Sequence, residues 1–525
     1  EEWLMDRSEL EAALDQQGTI LYIRMTCQTD HEENARAHTR FIEEVLPAVR
    51  TLEDALNQRF RSEQERFPLD PDRYGVYARA VTADLELFRP ENVPLATQVE
   101  LLSQDYQTLC GAMTVDFQGE ERTLPQMAKF LLQTDRGVRE AAWRATAARR
   151  LADRDRLDQL FDQMLGLRNQ IAANAGCRDF CEYQFRAYHR FDYTPEQCRQ
   201  YHRTVAEVLV PIARRIAARR RQQMNVECLR PWDTQVDPLD RPPLNPFTEV
   251  SELVAGVGQM MRALDPELGR QFQLMADQGL LDLASRKGKA PGGYQSTLAE
   301  ARLPFIFMNA VGVDQDVRTL LHESGHAFHA LAAAREPLHD YRHAPMEFCE
   351  VASMSMELLA GPHLAVFYNE EDRRRSEQEH LEDVVQILIW VAVVDAFQFW
   401  IYEHPGHTVE QRQEAWCAIQ DRFGAGGVDW NGLAAEQSSL WHRQLHIFEV
   451  PFYYIEYGIA QLGALQLWLH ARDDQPRTLA AYRRALSLGG SRPLPELFAA
   501  AGLRFDFSRP TIEPLVAAVE RALDV

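Results

Sequence analysis

Four side chains in the stretch LLHESGHAFH, Leu320 to His329, have the types and spacing for hydrolytic chemistry at a metal ion. His322 and His326 stand four residues apart, so on a helix their imidazoles leave one face about one turn apart. Two neutral nitrogens so placed can reach a single zinc ion at about 2.0–2.1 Å each. Glu323 follows the first histidine and points to the open side of such an ion, where it can take a proton from a water that the ion polarises. The chain holds 16 histidines, and a helix that is merely rich in histidine would read the same way until a third ligand is found. His329 comes seven residues after His322, but two helical turns is too far for a third bond to the same ion. It is expected behind the ligands, supporting them or capping the site.

The third ligand is sought among carboxylates. In MEFCEVASMSMELLAG, Glu350 and Glu357 are seven residues apart and share a helix face. On the otherwise apolar stripe of a Met-rich helix, carboxylates are costly to bury without a partner, and a cation is such a partner. Two surface glutamates would give the same sequence. Attack on a carbonyl also creates an oxyanion that needs hydrogen-bond donors. HRQLHIFEVPFYYIEYGIAQLG offers His446, Tyr453, Tyr454 and Tyr457, with Tyr453 and Tyr457 on one helix face. Aromatic core packing accounts for the same residues.

The elements that must position these groups are mostly helical. Apolar residues recur at three- and four-residue spacing through segments such as REAAWRATAARRLADRDRLDQLFDQMLGLRNQIAANAG, with Gly176 as a helix stop. MTVDFQGEERTL reads as a hairpin turning at Gly119. Five prolines interrupt LRPWDTQVDPLDRPPLNPF, Leu229 to Phe247, which divides a helical N-terminal lobe, residues 1–228, from a catalytic lobe, residues 229–525. Beyond it the rhythm breaks: PFIFMNA reads as a short strand, and a new helix starts near Asp314 or Asp316, either of which can cap it. Gly292 and Gly293 precede that strand and permit close backbone approach to a ligand, although a plain turn needs them equally. With Tyr294 and Phe307 they make up the candidate substrate-binding set. PFIFMNA itself is either an ordinary buried strand or an edge to which an extended peptide could add.

Bulk properties narrow the class. A formal net charge of −22 over 525 residues disfavours nucleic acid and anionic membranes as partners, because phosphate binding needs cationic groups. The basic run RRIAARRRQQ, Arg214 to Gln223, reads as a solvated helix face. The longest apolar run, Ile387 to Val394, is broken by Asp395 and reads as a buried core helix, not a membrane span. The opening EEWLMDRSEL shows neither a secretory leader nor an initiator methionine. Eight cysteines are too sparse for a disulfide scaffold, and Cys177 and Cys181 have no second pair to complete a metal site; reduced thiols and a cytoplasmic location are expected.

HESGHAFH followed by FCEVASMSME resembles the signature pair of the oligoendopeptidase F and thimet oligopeptidase family of zinc metallopeptidases, and is closer to the bacterial oligoendopeptidase F branch. LRNQIAANAG, LRPWD, GKAPGGYQ and VDQDVRTLLHE look like family segments in the family's order. The resemblance implies a mainly α fold, with two helical lobes flanking a deep substrate channel and a small β-sheet near the HExxH helix. It implies one zinc ion per chain held by His322, His326 and Glu350, with Glu357 nearby on the helix of Glu350. It also implies a histidine and tyrosine cluster opposite the metal: His446 matches the histidine and Tyr453 and Tyr457 match two tyrosines, with the spacing to His446 about one residue off. A further tyrosine used in the thimet branch falls at Ala460. The activity implied is hydrolysis of internal bonds of short unfolded oligopeptides, with Glu323 as general base. A carboxypeptidase or dipeptidase on a similar helical HExxH scaffold, and a non-catalytic zinc-dependent peptide-binding protein, are the competing expectations. A pure binder has no use for a general base.

Overall fold

Three- and four-residue apolar spacing becomes helix along most of the chain in the computed structural model, which describes residues 1–286, 288–290, 292–424 and 427–524. The helix Arg154–Asn174 buries Leu157, Phe161, Met164 and Ile171 on one face, and the chain leaves it at Gly176, whose φ of 77° suits a residue without a Cβ. The helix Pro195–Gln223 opens with a capping box between Thr194 and Gln197. Within the basic run on this helix, Ile216 and Ala217 are buried while Arg214, Arg215 and Arg221 are exposed, as a solvated face requires. Strands β1 (Thr114–Phe117) and β2 (Glu120–Thr123) form the expected antiparallel hairpin. Gln118 and Gly119 at its tip both have positive φ, 55° and 82°, the two-residue turn whose twist matches a hairpin.

The contacts divide the chain into two compact units, each assembled from three segments. The first comprises Glu1–Leu85, Leu244–His380 and Ile459–Asp506; the second comprises Glu86–Pro243, Leu381–Gly458 and Phe507–Val525. The cut expected at 228/229 lies inside the second unit, and the chain passes into the first within the proline-rich stretch, at 243/244. The helix Glu370–Glu403 carries the apolar run. It is long and apolar enough by composition to cross a membrane, yet 72% of its most apolar stretch is buried inside the protein. In the second unit its Asp395 accepts a 2.7 Å hydrogen bond on Oδ2 from the buried His202 imidazole, which gives the charge that breaks the run one partner.

The first unit holds a three-stranded sheet in the order β3 (Leu281–Ala284), β5 (Leu303–Ala310), β4 (Tyr294–Leu298), parallel between β3 and β5 and antiparallel between β4 and β5. This corrects the reading of PFIFMNA as an edge. It is the central strand, paired on both sides, and Ile306, Phe307 and Met308 are buried in the manner of a strand covered on both faces. The edge is β4. The Ile306 N–H bonds the Leu280 carbonyl, on the β3 side. Its antiparallel partner Gln295 therefore turns its own N–H and C=O away from β5, toward the open side of β4.

Candidate active site

The HExxH motif sits on the helix Asp314–Ala333, which follows β5 after a tight turn at Gly312. Asp316 fixes its start: one carboxylate oxygen accepts the N–H groups of Val311, Gly312 and Val313 at 2.8, 2.8 and 3.0 Å. Asp314 instead accepts the Tyr368 hydroxyl at 2.5 Å and the Ser376 hydroxyl at 2.8 Å. Val317, Leu320, Leu321 and Phe328 bury the apolar face. The helix Met346–Leu359 packs across it at Gly325. A Cβ at that position would stand 2.5 Å from the Ser353 Cα and 2.6 Å from the Ala352 carbonyl oxygen, so only glycine permits this crossing. Behind it, the Tyr482 hydroxyl donates to the same Ala352 carbonyl at 2.8 Å.

This crossing brings Glu350 to the histidines. Its Oε2 lies 3.4 Å from His322 Nε2 and 3.6 Å from His326 Nε2, and the three ligand atoms lie within 4.8 Å of one another. Tetrahedral bonds of about 2.05 Å place neighbouring ligand atoms about 3.3–3.4 Å apart, so the spacing fits a single ion. The surface-glutamate reading ends here for Glu350, which is 5% exposed, on the buried side of its helix. Glu357 accepts a hydrogen bond from His322 Nδ1 at 2.7 Å, which turns Nε2 toward Glu350. The Ser353 hydroxyl donates to Glu350 Oε2 at 3.0 Å, and His380 Nε2 lies 3.8 Å from Glu357.

Electrostatics at the centre follow from burial and these contacts. Burial alone would lower His322, but its bonds to Glu350 and Glu357 hold it well above the ordinary imidazole value. His326 has no such hydrogen bond, and burial brings it down to about 4. Burial would raise Glu350, yet the two histidines and Ser353 hold it at about 2. Two half-buried imidazoles and one buried, ionised carboxylate are a donor set that fits a borderline divalent cation. Glu323 is 7% exposed and no part of that triple. Burial pushes its carboxyl up to about 7, opposed by His322 and by a hydrogen bond from the Gln295 backbone. That last contact sets the free side of β4 against the Glu323 carboxyl.

The remaining expected residues divide. Gly292 has a φ of 95°, and a Cβ on Gly293 would press on Thr319 at 3.2 Å, so the pair steers the chain into β4. The Tyr294 ring stacks on Phe307 with centroids 4.7 Å apart, and its hydroxyl bonds the Thr26 hydroxyl at 2.6 Å. Phe307 is fully buried beneath the Lys289 ammonium. These two aromatics therefore hold β4 in place, and the Phe307 side chain has no surface to offer a ligand. His329 is 4% exposed and packs on Phe348; its Nε2 makes no hydrogen bond among the described residues, and burial pushes it down to about 3. It is a neutral core imidazole and does not orient the ligands through that nitrogen.

In the second unit, His446 lies among three tyrosines, with ring centroids 5.8, 4.9 and 5.7 Å from Tyr453, Tyr454 and Tyr457. Its Nε2 is 3.4 Å from the Tyr457 hydroxyl, and its Nδ1 is 2.8 Å from the Gln444 amide. Tyr454 is buried, whereas His446, Tyr453 and Tyr457 are half-buried. Sequence reasoning missed Ser353, His380 and Gln295. Ser353 follows Glu350 by three residues, and that spacing could have flagged it. His380 sits on a different helix with no short-range signal, and Gln295 contributes only its backbone.

A model of peptidase family M3 matches residues 130–516. Oligopeptidase PepF of Bacillus subtilis (strain 168) is 26% identical over 273 residues, which are 49% of this chain and 38% of that protein. The chromosomal oligoendopeptidase F of Lactococcus lactis subsp. cremoris is 22% identical over 213 residues, 40% of this chain and 34% of that protein. These matches span less than half the length of the curated relatives. Among solved structures, Pz peptidase A bound to an inhibitor superposes with a TM-score of 0.94 at 30% identity, covering 100% of this chain and 92% of that one. The mainly helical fold with its small sheet is thus shared with solved peptidases, and the chain belongs to peptidase family M3.

Proposed function

We propose that the protein is a zinc metalloendopeptidase that hydrolyses internal bonds of short unfolded oligopeptides. The observation that carries this reading is the close triple of half-buried His322 and His326 with buried Glu350, Glu323 standing beside it and outside it. One zinc ion at this triple supplies Lewis acidity, polarising a carbonyl and acidifying water. The chain's own residues do the rest. Glu323, with a carboxyl near neutrality, takes the proton from the attacking water and returns it to the leaving amine. Glu357 holds the His322 ring by its Nδ1–H. His446, Tyr453 and Tyr457 are assigned as donors to the oxyanion on the strength of the family resemblance and of their mutual packing. An extended peptide adds to the open side of β4, where Gln295 offers backbone groups next to Glu323; main-chain pairing of this kind reads peptide backbone and not side-chain identity. Gly292 and Gly293 set the approach of that strand. Eight free cysteines support a reducing, cytoplasmic setting.

The test is a peptide blocked at both ends and digested with zinc-loaded enzyme. Internal cleavage, abolished by chelation and restored by zinc, is the expected result. Cleavage only of peptides with a free terminus would assign the site to an exopeptidase, and stoichiometric zinc without cleavage of any peptide would leave a binding protein.

A further inference from the structure

A second cluster of metal-ligating side chains lies in the first unit, away from the HExxH triple. His339 opens a short helical turn, His339–Arg342, that connects the HExxH helix to the helix of Glu350, and His343 follows it. The two imidazoles have the same four-residue offset as His322 and His326, with ring centroids 5.4 Å apart. Asp15, from the N-terminal helix Glu2–Cys27, meets both: its Oδ2 is 3.4 Å from His339 Nε2 and 4.0 Å from His343 Nε2. All three ligand atoms fall within 4.8 Å of one another. The corresponding distances at the HExxH triple are 3.4 and 3.6 Å, so the second cluster is nearly as contracted, against the about 3.3–3.4 Å edge of a tetrahedral zinc site.

An independent observation concerns His339. Its Nε2 is shielded from solvent and makes no hydrogen bond among the described residues, although it is aimed at Asp15. A shielded imidazole nitrogen without a hydrogen-bond partner loses the solvation it had in water, and a shared cation would satisfy it and the carboxylate together. The surrounding polar contacts hold the three residues in register. The Ser8 hydroxyl accepts the His339 N–H, and Arg342 donates to Glu9 at 3.3 Å and to the Pro337 carbonyl at 2.9 Å. Asp15 and the two histidines thus belong to a built junction between the N-terminal helix and the connector that leads into the Glu350 helix.

We propose that Asp15, His339 and His343 form a second divalent-metal site that clamps the N-terminal helix to this connector. Imidazole ligands select a borderline transition ion such as zinc, cobalt or nickel over magnesium or calcium. The half-exposed setting leaves the remaining coordination positions to water. The role assigned to it is structural, tying the N-terminal helix to the connector. Because Asp15 lies on the first helix, the bound ion should stabilise the N-terminal segment in preference to the rest of the unit.

The test titrates holoenzyme already loaded with one zinc with Zn2+ alone, under equilibrium dialysis, and counts bound metal. Wild-type protein should take up a second equivalent, and its thermal midpoint should rise on doing so. Asp15→Asn and His343→Ala, each at a half-exposed or exposed position where misfolding is not expected, should lose that second equivalent and the thermal shift, and should keep the first zinc and its peptidase activity. Hydrogen exchange should slow over Glu2–Cys27 on the second addition in the wild type only. Wild-type uptake that stops at one equivalent overturns the proposal. So does a second equivalent that survives in both variants, because the ion would then sit elsewhere. Neither result bears on the HExxH centre, which the first equivalent reports.

Discussion

Replacing Gly325 by alanine should damage catalysis far more than stability. The added Cβ would sit 2.5 Å from the Ser353 Cα and 2.6 Å from the Ala352 carbonyl oxygen, both backbone atoms of the facing helix, whereas ordinary contact begins at 3.4 Å. Backbone cannot rotate aside as a side-chain tip can, so the two helices must part by about 1 Å, a displacement of the size that costs ~10²-fold in rate when it misplaces reacting groups. Glu350 lies one turn before Ser353 on the displaced helix and carries the carboxylate of the triple, while His322 and His326 remain on the other helix. Overpacking costs ~1–3 kcal/mol, but alanine in a helix interior recovers about 1 kcal/mol relative to glycine, leaving a net loss of roughly 0–2 kcal/mol. The assay compares kcat/KM, zinc affinity and the denaturation midpoint of Gly325→Ala with wild type. The expected result is a fall in kcat/KM of about two orders of magnitude with weakened zinc binding and a modest stability change. An alanine variant with wild-type activity and zinc affinity would refute the reasoning that this crossing sets the metal geometry.

Two further expectations follow from the same structure. Glu357→Gln keeps the shape but weakens the carboxylate that holds His322 Nδ1, and zinc affinity should fall ~10–100-fold by competition with a chelator. Asp233 accepts hydrogen bonds from Arg136, the Arg230 N–H and Arg139; burial would raise its carboxyl, yet these bonds hold it below the ordinary value. A lowered folded-state value contributes stability that is present above the unfolded value, about 3.9, and is lost as pH falls through the folded one. Asp233→Asn should therefore flatten the acid limb of a stability profile, and near neutral pH it should cost ~3–5 kcal/mol by leaving the buried Arg139 without its counter-charge. An unchanged acid limb would contradict the assignment.

How much of this was legible in the sequence depends on range. The HExxH face, the Glu350 and Glu357 face, the hairpin at Gly119 and the start of the helix at Asp314–Asp316 are all set by local spacing and capping, and each appears in the structure as read. Strand order is a long-range property. PFIFMNA has the apolar run of a buried strand, but nothing local says that β3 pairs on one side and β4 on the other, so the sequence left buried strand and edge both open. The division into units escaped for the same reason, since each unit draws on three separated segments and no composition shift marks the returns at 380/381 and 458/459. His329 and Phe307 show the opposite failure. Their residue types suggest a site, while burial alone makes one a neutral core imidazole and the other a strand anchor.

The central claim is that Glu323 is the base beside a metal it does not bind. Glu323→Gln, matched in volume and placed outside the triple, should retain one zinc per chain at wild-type affinity while peptide hydrolysis drops by ~10²–10⁴-fold, the range for removing a positioned general base. Zinc bound as in wild type together with undiminished hydrolysis would contradict the account.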